Sequence, residues 1–205
     1  MIEATRFGRR LPNGGCIGVP APASPWGNRS DLLRGVELIA EHPKAFCGYS
    51  DITALHVALR QRAGLATFYG PHLMTMGWTE TSDLTRERLL LAVLGGDGTG
   101  PVPADPDDPY VRPLRGGRAS GPLAGVVEVV VGDMERCDWS ERRPEWPRTK
   151  SLEQVLGEHL EPLGVPVRYK LPLGHAKHLA TLPLGVAATL DGDQRTLVVD
   201  QPALR

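Results

Sequence analysis

The residues best suited to chemistry in this chain are one serine and a set of histidines. Ser50 stands in Phe46-Cys47-Gly48-Tyr49-Ser50-Asp51-Ile52-Thr53-Ala54-Leu55-His56, where a short apolar run meets the start of a helical pattern. A serine on a tight strand-to-helix connection has its hydroxyl pushed clear of the backbone. The N–H of the next residue, Asp51, then lies beside it at a helix N-terminus, where N–H and helix dipole together suit a developing oxyanion. Such a hydroxyl attacks a carbonyl only when a base takes its proton. The histidines available are His42, His56, His72, His159, His175 and His178. His56 lies within the helix and is expected too far along it to face the turn behind. His159 falls on an apolar helix face. His175 directly follows a strand-like run and a glycine in Leu171-Pro172-Leu173-Gly174-His175, and loops of this kind carry function. His178 stands close by.

Spacing alone leaves two readings of Ser50 open. The pattern is Gly-x-Ser-x-Ile, without the second glycine of the Gly-x-Ser-x-Gly elbow of α/β-hydrolases. Ser and Asp ahead of a helix are also ordinary N-caps, worth about 1 kcal/mol each. The capping role and the nucleophile role both fit the spacing.

The elements that must hold these residues can be read from periodicity. Cys16–Ala21 reads as a short buried strand, and Ser30 or Asp31 can cap a helix over LLRGVELIAE. KAFCGYS is a second strand-like run. Ile52, Leu55 and Leu59 fall at helical spacing, with Gly64 as a stop. LATFYGP is a third strand, and Ser82 or Asp83 opens a helix over SDLTRERLLLAVL. Strand–helix alternation of this kind predicts a parallel α/β sheet. After the acidic, Pro-rich run GGDGTGPVPADPDDPY the pattern changes to β-branched strands around one amphipathic helix, SLEQVLGEHLEPLG, with Ser151 as its cap. The expected organisation is an N-terminal domain over residues 1–77, a helix and linker over 78–116, and a small strand-rich α+β domain over 117–205.

Composition narrows the function classes. The chain has 205 residues, 41% hydrophobic and 23% charged, with a formal net charge of −1. That balance argues against a sequence-independent hold on nucleic acid, and 5% aromatics offers few stacking platforms. No run approaches the roughly 20 apolar residues of a membrane span, and the N-terminus has no signal-like apolar core. A cytoplasmic protein is the expectation. Cys16, Cys47 and Cys137 are widely spaced and form no CxxC pair, so no metal site and no disulfide framework is expected. The basic and Trp-bearing run MERCDWSERRPEWPRTK reads as a solvated loop, since its acidic residues offset its charge.

Three ordered blocks carry a family resemblance. HPKAFCGYSDITALHVAL with GLATFYGP resembles the nucleophile region of the LD-carboxypeptidase family (serine peptidase family S66), which includes the microcin-immunity peptidases. GRASGPLAG resembles the opening of that family's C-terminal domain, and LPLGHAKHLATLPLGVAATLD its histidine-bearing segment. IGVPAPASP matches its first strand. The resemblance implies an N-terminal domain like that of class I glutamine amidotransferases, here reduced. It implies a Ser–His–Glu hydrolase with Ser50 as nucleophile, His175 as general base and the Asp51 N–H as one oxyanion donor. It further implies hydrolysis of the terminal L,D amide of murein tetrapeptides during cell-wall recycling, or of a peptidyl-nucleotide as in the microcin-immunity branch. No cofactor and no metal are implied, and the family is often homodimeric.

Two departures accompany the matches. Compared with the family, intervals are missing between LLRGVELIAE and HPKAFCGYSD and between GPLAG and VVVGDMERCDW. The first would supply a Gly-rich oxyanion segment and the second the triad glutamate. The third carboxylate is therefore unassigned: Glu128 reads as an outward strand residue, and Asp133, Glu135 and Glu141 are candidates by proximity only. A catalytically inactive descendant that binds peptides is the alternative that this gap favours.

Overall fold

The computed structural model describes residues 6–10, 29–95, 99–104, 112–115, 117–122, 129–134, 137, 150–175 and 177–204. Helix α1 (Arg29–Glu41) leads to strand β1 (Cys47–Gly48), a 3₁₀ turn over Ser50–Ile52 and helix α2 (Thr53–Ala63). Ser30 and Asp31, expected as caps, lie inside α1. Gly64 ends α2 in the left-handed region at φ 61°, as its position predicts. Strand β2 (Thr67–Tyr69) follows, then a short helix α3 (Leu73–Gly77) that periodicity does not reveal, and α4 (Asp83–Leu94). The Ser82 side chain accepts from the Thr85 N–H and so caps α4. The expected strand over Cys16–Ala21 and the loop over 138–149 lie outside the described residues.

The second half builds β3 (Gly100–Pro101), β4 (Arg112–Arg115), β5 (Arg118–Pro122), β6 (Val129–Asp133), α5 (Leu152–Leu160), β7 (Val167–Gly174), β8 (Leu182–Leu184), β9 (Ala187–Asp191) and β10 (Thr196–Val199). Ser151 and Gln154 form a reciprocal capping box at the start of α5. His159 on that helix is exposed rather than part of a core. The strands form three small sheets, ordered β1-β2-β8, β3-β10-β9-β5 and β4-β7-β6.

One pairing matters most for function. β1 and β2 are parallel, as the strand–helix–strand pattern predicts, but β2 also pairs with β8, antiparallel, through Phe68↔Pro183 and Tyr69↔Leu182. A strand from beyond residue 117 thus completes the sheet that carries the elbow, so this sheet is not confined to residues 1–77. The core runs through the same joint. Val102, Leu171, Leu173, Ala180, Leu182, Ala188, Leu190 and Leu197 form one buried cluster, with Tyr69 and Leu84 packed on it. Ala66, Phe68, Ala92, Val186, Val199, Ala203 and Leu204 form a second. β9 shows why: Ala188 and Leu190 alternate inward between half-buried neighbours, the period-two pattern of a half-covered strand. Leu59, Ala63 and Leu65 make a third cluster, against which Ile39 and Ala40 of α1 pack.

Candidate active site

Gly48, the last residue of β1, has no room for a side chain: a Cβ there would sit 2.7 Å from Ile52 Cγ2. The chain can therefore turn tightly, with Tyr49 extended at φ −149° and Ser50 at φ 60°. A serine in the left-handed region carries strain of about 1–3 kcal/mol, which persists only where the surroundings over-determine it. The 3₁₀ turn is closed by the Ile52 N–H donating to the Tyr49 carbonyl at 3.3 Å. Neither this turn nor α2 has a side-chain cap. The capping role open to Ser50 and Asp51 on spacing alone is therefore not the one they take here.

The Ser50 hydroxyl instead faces His175: Oγ lies 3.1 Å from Nε2, across 125 positions of sequence. The route that brings His175 there starts at Gly174, which ends β7 at φ 95° and turns the chain out of the strand. The return segment is pinned at two points. The Ala180 N–H donates to the Pro172 carbonyl at 2.7 Å, and the Leu179 N–H donates to Oγ1 of Thr85, a buried α4 residue, at 2.9 Å. The segment then enters β8 beside β2. Both Ser50 and His175 are exposed, so the pair is open to a ligand. His178, its near neighbour in sequence, is buried instead.

The aromatic rings around the pair are not legible from spacing. Tyr49 lies with its ring centroid 5.2 Å from that of His175 and 5.2 Å from that of His72, so one phenol ring is flanked by two imidazoles. His72 accepts the Thr75 N–H at Nδ1, 3.1 Å away, which leaves the ring proton on Nε2. Trp78 meets His72 edge-on at 6.2 Å. Tyr69, below Tyr49 at 6.5 Å, has its phenol pushed up by burial and by Tyr49.

His56 overturns one expectation. It does reach back to the strand before the turn: its Nε2 lies 2.9 Å from the Gly48 carbonyl, and the residue is 1% exposed. Burial lowers its pKa below the usual imidazole value, with the Gly48 hydrogen bond opposing in part. Cys47 is also enclosed here: its thiol faces the Pro71 carbonyl at 3.7 Å, and burial pushes its pKa up to about 12. Because the thiolate is the reactive form, iodoacetamide at pH 8 is expected to modify the exposed Cys137 well ahead of Cys47. Peptide mapping over time reads this directly, and equal rates at the two thiols would contradict the enclosure.

Among the described residues, no carboxylate hydrogen-bonds the second ring nitrogen of His175. Asp133 is the register partner of Gly174 across the parallel β6–β7 pair, next to His175 in the fold. Glu128, Glu135 and Glu141 lie outside the described residues. No group of three or more His, Cys, Asp or Glu among the described residues could hold a metal ion, and no helix among them is long and apolar enough to cross a membrane.

Known proteins resemble this chain in sequence and in fold. Residues 17–70 match the LD-carboxypeptidase N-terminal domain and residues 108–190 the LD-carboxypeptidase C-terminal domain. A Streptomyces coelicolor protein named as a carboxypeptidase is 33% identical over 222 residues, covering 85% of this chain and 68% of its own length. A Bacillus subtilis protein named "Probable murein peptide carboxypeptidase" is 28% identical over 210 residues, covering 80% of this chain and 65% of its own. Both aligned stretches exceed 205 residues, so they include positions that this chain lacks. Among solved structures, the microcin C7 self-immunity protein in complex with aspartyl sulfamoyl adenosine superposes with TM-score 0.63 at 21% identity, covering 87% of this chain and 74% of its own. The muramoyltetrapeptide carboxypeptidase of Oxalobacter formigenes gives TM-score 0.62 at 19% identity, covering 82% and 73%. With both domains matched in order and the Streptomyces relative covered over two thirds of its length, this chain belongs to the LD-carboxypeptidase family of serine peptidases.

Proposed function

We propose that this protein is a serine carboxypeptidase that hydrolyses the terminal L,D amide of murein tetrapeptides, with Ser50 as nucleophile, His175 as general base and acid, and the Asp51 N–H as oxyanion donor. The observation that carries the reading is the 3.1 Å approach of Ser50 Oγ to His175 Nε2. With the ring proton on Nδ1, Nε2 accepts the serine proton as Oγ bonds to the scissile carbonyl carbon. The resulting oxyanion faces the Asp51 N–H, one of the first N–H groups of the turn and so without an intrahelical acceptor. His175 then returns its proton to the leaving amine, the C–N bond breaks, and D-alanine departs. Water, deprotonated by the same imidazole, attacks the Ser50 ester and frees the shortened peptide and the serine.

The reading extends to a cytoplasmic protein that acts as a homodimer on recycled cell-wall peptides, supported by the family and by the murein name of the Bacillus relative. The absence of a carboxylate on His175 among the described residues favours a second reading, a peptide-binding descendant without turnover. Release of D-alanine from a murein tetrapeptide by the purified chain separates the two. The expected result is release that fails when the terminal residue is L-alanine. A cooperatively folded chain that releases nothing would overturn the peptidase reading and leave the binding one.

A further inference from the structure

We propose that His56 is a positioning residue for the nucleophile: its imidazole donates Nε2–H to the Gly48 carbonyl and thereby holds Ser50 in the left-handed conformation that faces His175. The proposal rests on the reading of Ser50 as nucleophile, and it concerns how that conformation is maintained. Gly48 precedes Ser50 by two residues, so the orientation of its peptide group sets where the elbow begins. Its carbonyl is held from two sides, by the Gly70 N–H at 3.0 Å and by His56 Nε2 at 2.9 Å. With both lone pairs engaged, that carbonyl has little freedom to rotate.

The helix supplies the second grip by simple spacing. Ile52, the N-cap residue of α2, and His56 are four residues apart, hence neighbours on one side of the helix start. Ile52 closes over the space where Gly48 lacks a Cβ, and His56, one turn on, reaches the carbonyl. No side chain caps this turn, and His56 hydrogen-bonds the helix back to the strand.

The choice of histidine at this position also needs a reason. The site is fully buried, edge-on to Phe46 at 5.4 Å and near Tyr69 at 6.4 Å. Donation from Nε2 leaves Nδ1 as a buried acceptor, and that atom has no hydrogen-bond partner among the described residues. An aliphatic residue would avoid that cost, since an unsatisfied buried polar atom is destabilising. A histidine there makes sense when the Gly48 bond has a task. The Tyr69 ring from β2 lies beside it, with its phenol pushed up by burial and by Tyr49.

The test compares the wild-type chain with His56→Leu, which removes the donor, and His56→Gln, whose amide nitrogen can reach the position of Nε2. Three readouts are taken: the second-order rate of fluorophosphonate labelling at Ser50, the ¹³Cα shift of Ser50, and thermal unfolding. A slight misplacement of reacting groups costs up to about 10²-fold, so His56→Leu is expected to fold and to label roughly 10- to 100-fold more slowly. Its Ser50 shift should leave the left-handed range, while His56→Gln keeps the shift and labels within a few-fold of wild type. A folded His56→Leu that labels at the wild-type rate, or that leaves the Ser50 shift unchanged, overturns the proposal. If His56→Leu does not fold, His56→Asn, too short to reach the carbonyl, takes its place under the same criteria. If the wild-type chain itself does not label, the nucleophile reading falls, and the Ser50 shift alone decides the role of His56.

Discussion

Ser50→Ala is expected to lower D-alanine release by roughly 10²-fold or more while leaving thermal unfolding unchanged. In a serine peptidase with a complete triad, removal of the nucleophile costs about 2 × 10⁶ in kcat, whereas removal of the orienting carboxylate alone costs about 3 × 10⁴. A serine–histidine pair without that carboxylate therefore has only about 10²-fold left to lose. The size of the drop thus measures more than the identity of the nucleophile. A drop near 10² describes a bare Ser50–His175 pair. A drop approaching 10⁶ would mean that a carboxylate orients the imidazole, with Asp133 at the register position beside Gly174 the first to substitute. No drop at all, in a chain that releases D-alanine, would remove Ser50 from the mechanism. Stability should not move, because Ser50 is exposed and its side chain caps no helix.

Part of the candidate site is legible in the sequence. Ser50 and His175 stand out by position, one at a strand-to-helix joint and the other after a strand and a glycine, and these are local signals that a sequence carries. Three helices are legible because their caps and stops are short-range as well: Ser82 for α4, Ser151 for α5, Gly64 for α2. The pairing of β8 with β2 was not legible, since a three-residue strand leaves too few alternations to declare its partner. The contact of His56 with Gly48 is hidden for a related reason. Helical spacing places it beyond the turn, but a helix that folds back over its own strand brings the next turn onto the strand's last carbonyl. The short helix α3 escaped because five residues show no period. The Tyr49, His72 and His175 cluster joins three segments remote in sequence, and no local pattern encodes such an assembly.

His175→Ala is expected to match Ser50→Ala in its effect on D-alanine release, and the double variant to cost no more than either single one. Groups that act as one unit are not additive: once the base is gone the serine proton has no acceptor, and once the serine is gone the base has nothing to activate. Two residues that contributed separately, for instance one in binding and one in chemistry, would instead show nearly multiplicative losses. The fold should tolerate the change, because His175 is exposed and its loop is held by the backbone bonds of Leu179 and Ala180, which the substitution leaves intact. Added imidazole gives an independent readout. If the lost function is proton transfer at Nε2, free imidazole diffusing into the space that His175 vacates should restore part of the rate to His175→Ala and none to Ser50→Ala. A silent His175→Ala beside an inactive Ser50→Ala would point across the Tyr49 ring to His72 as the base. That histidine lies on the same phenol, but its Nδ1 already accepts the Thr75 N–H and its Nε2 therefore carries a proton. It would have to release the Thr75 bond before it could accept one, whereas the Nε2 of His175 already lies 3.1 Å from the serine hydroxyl.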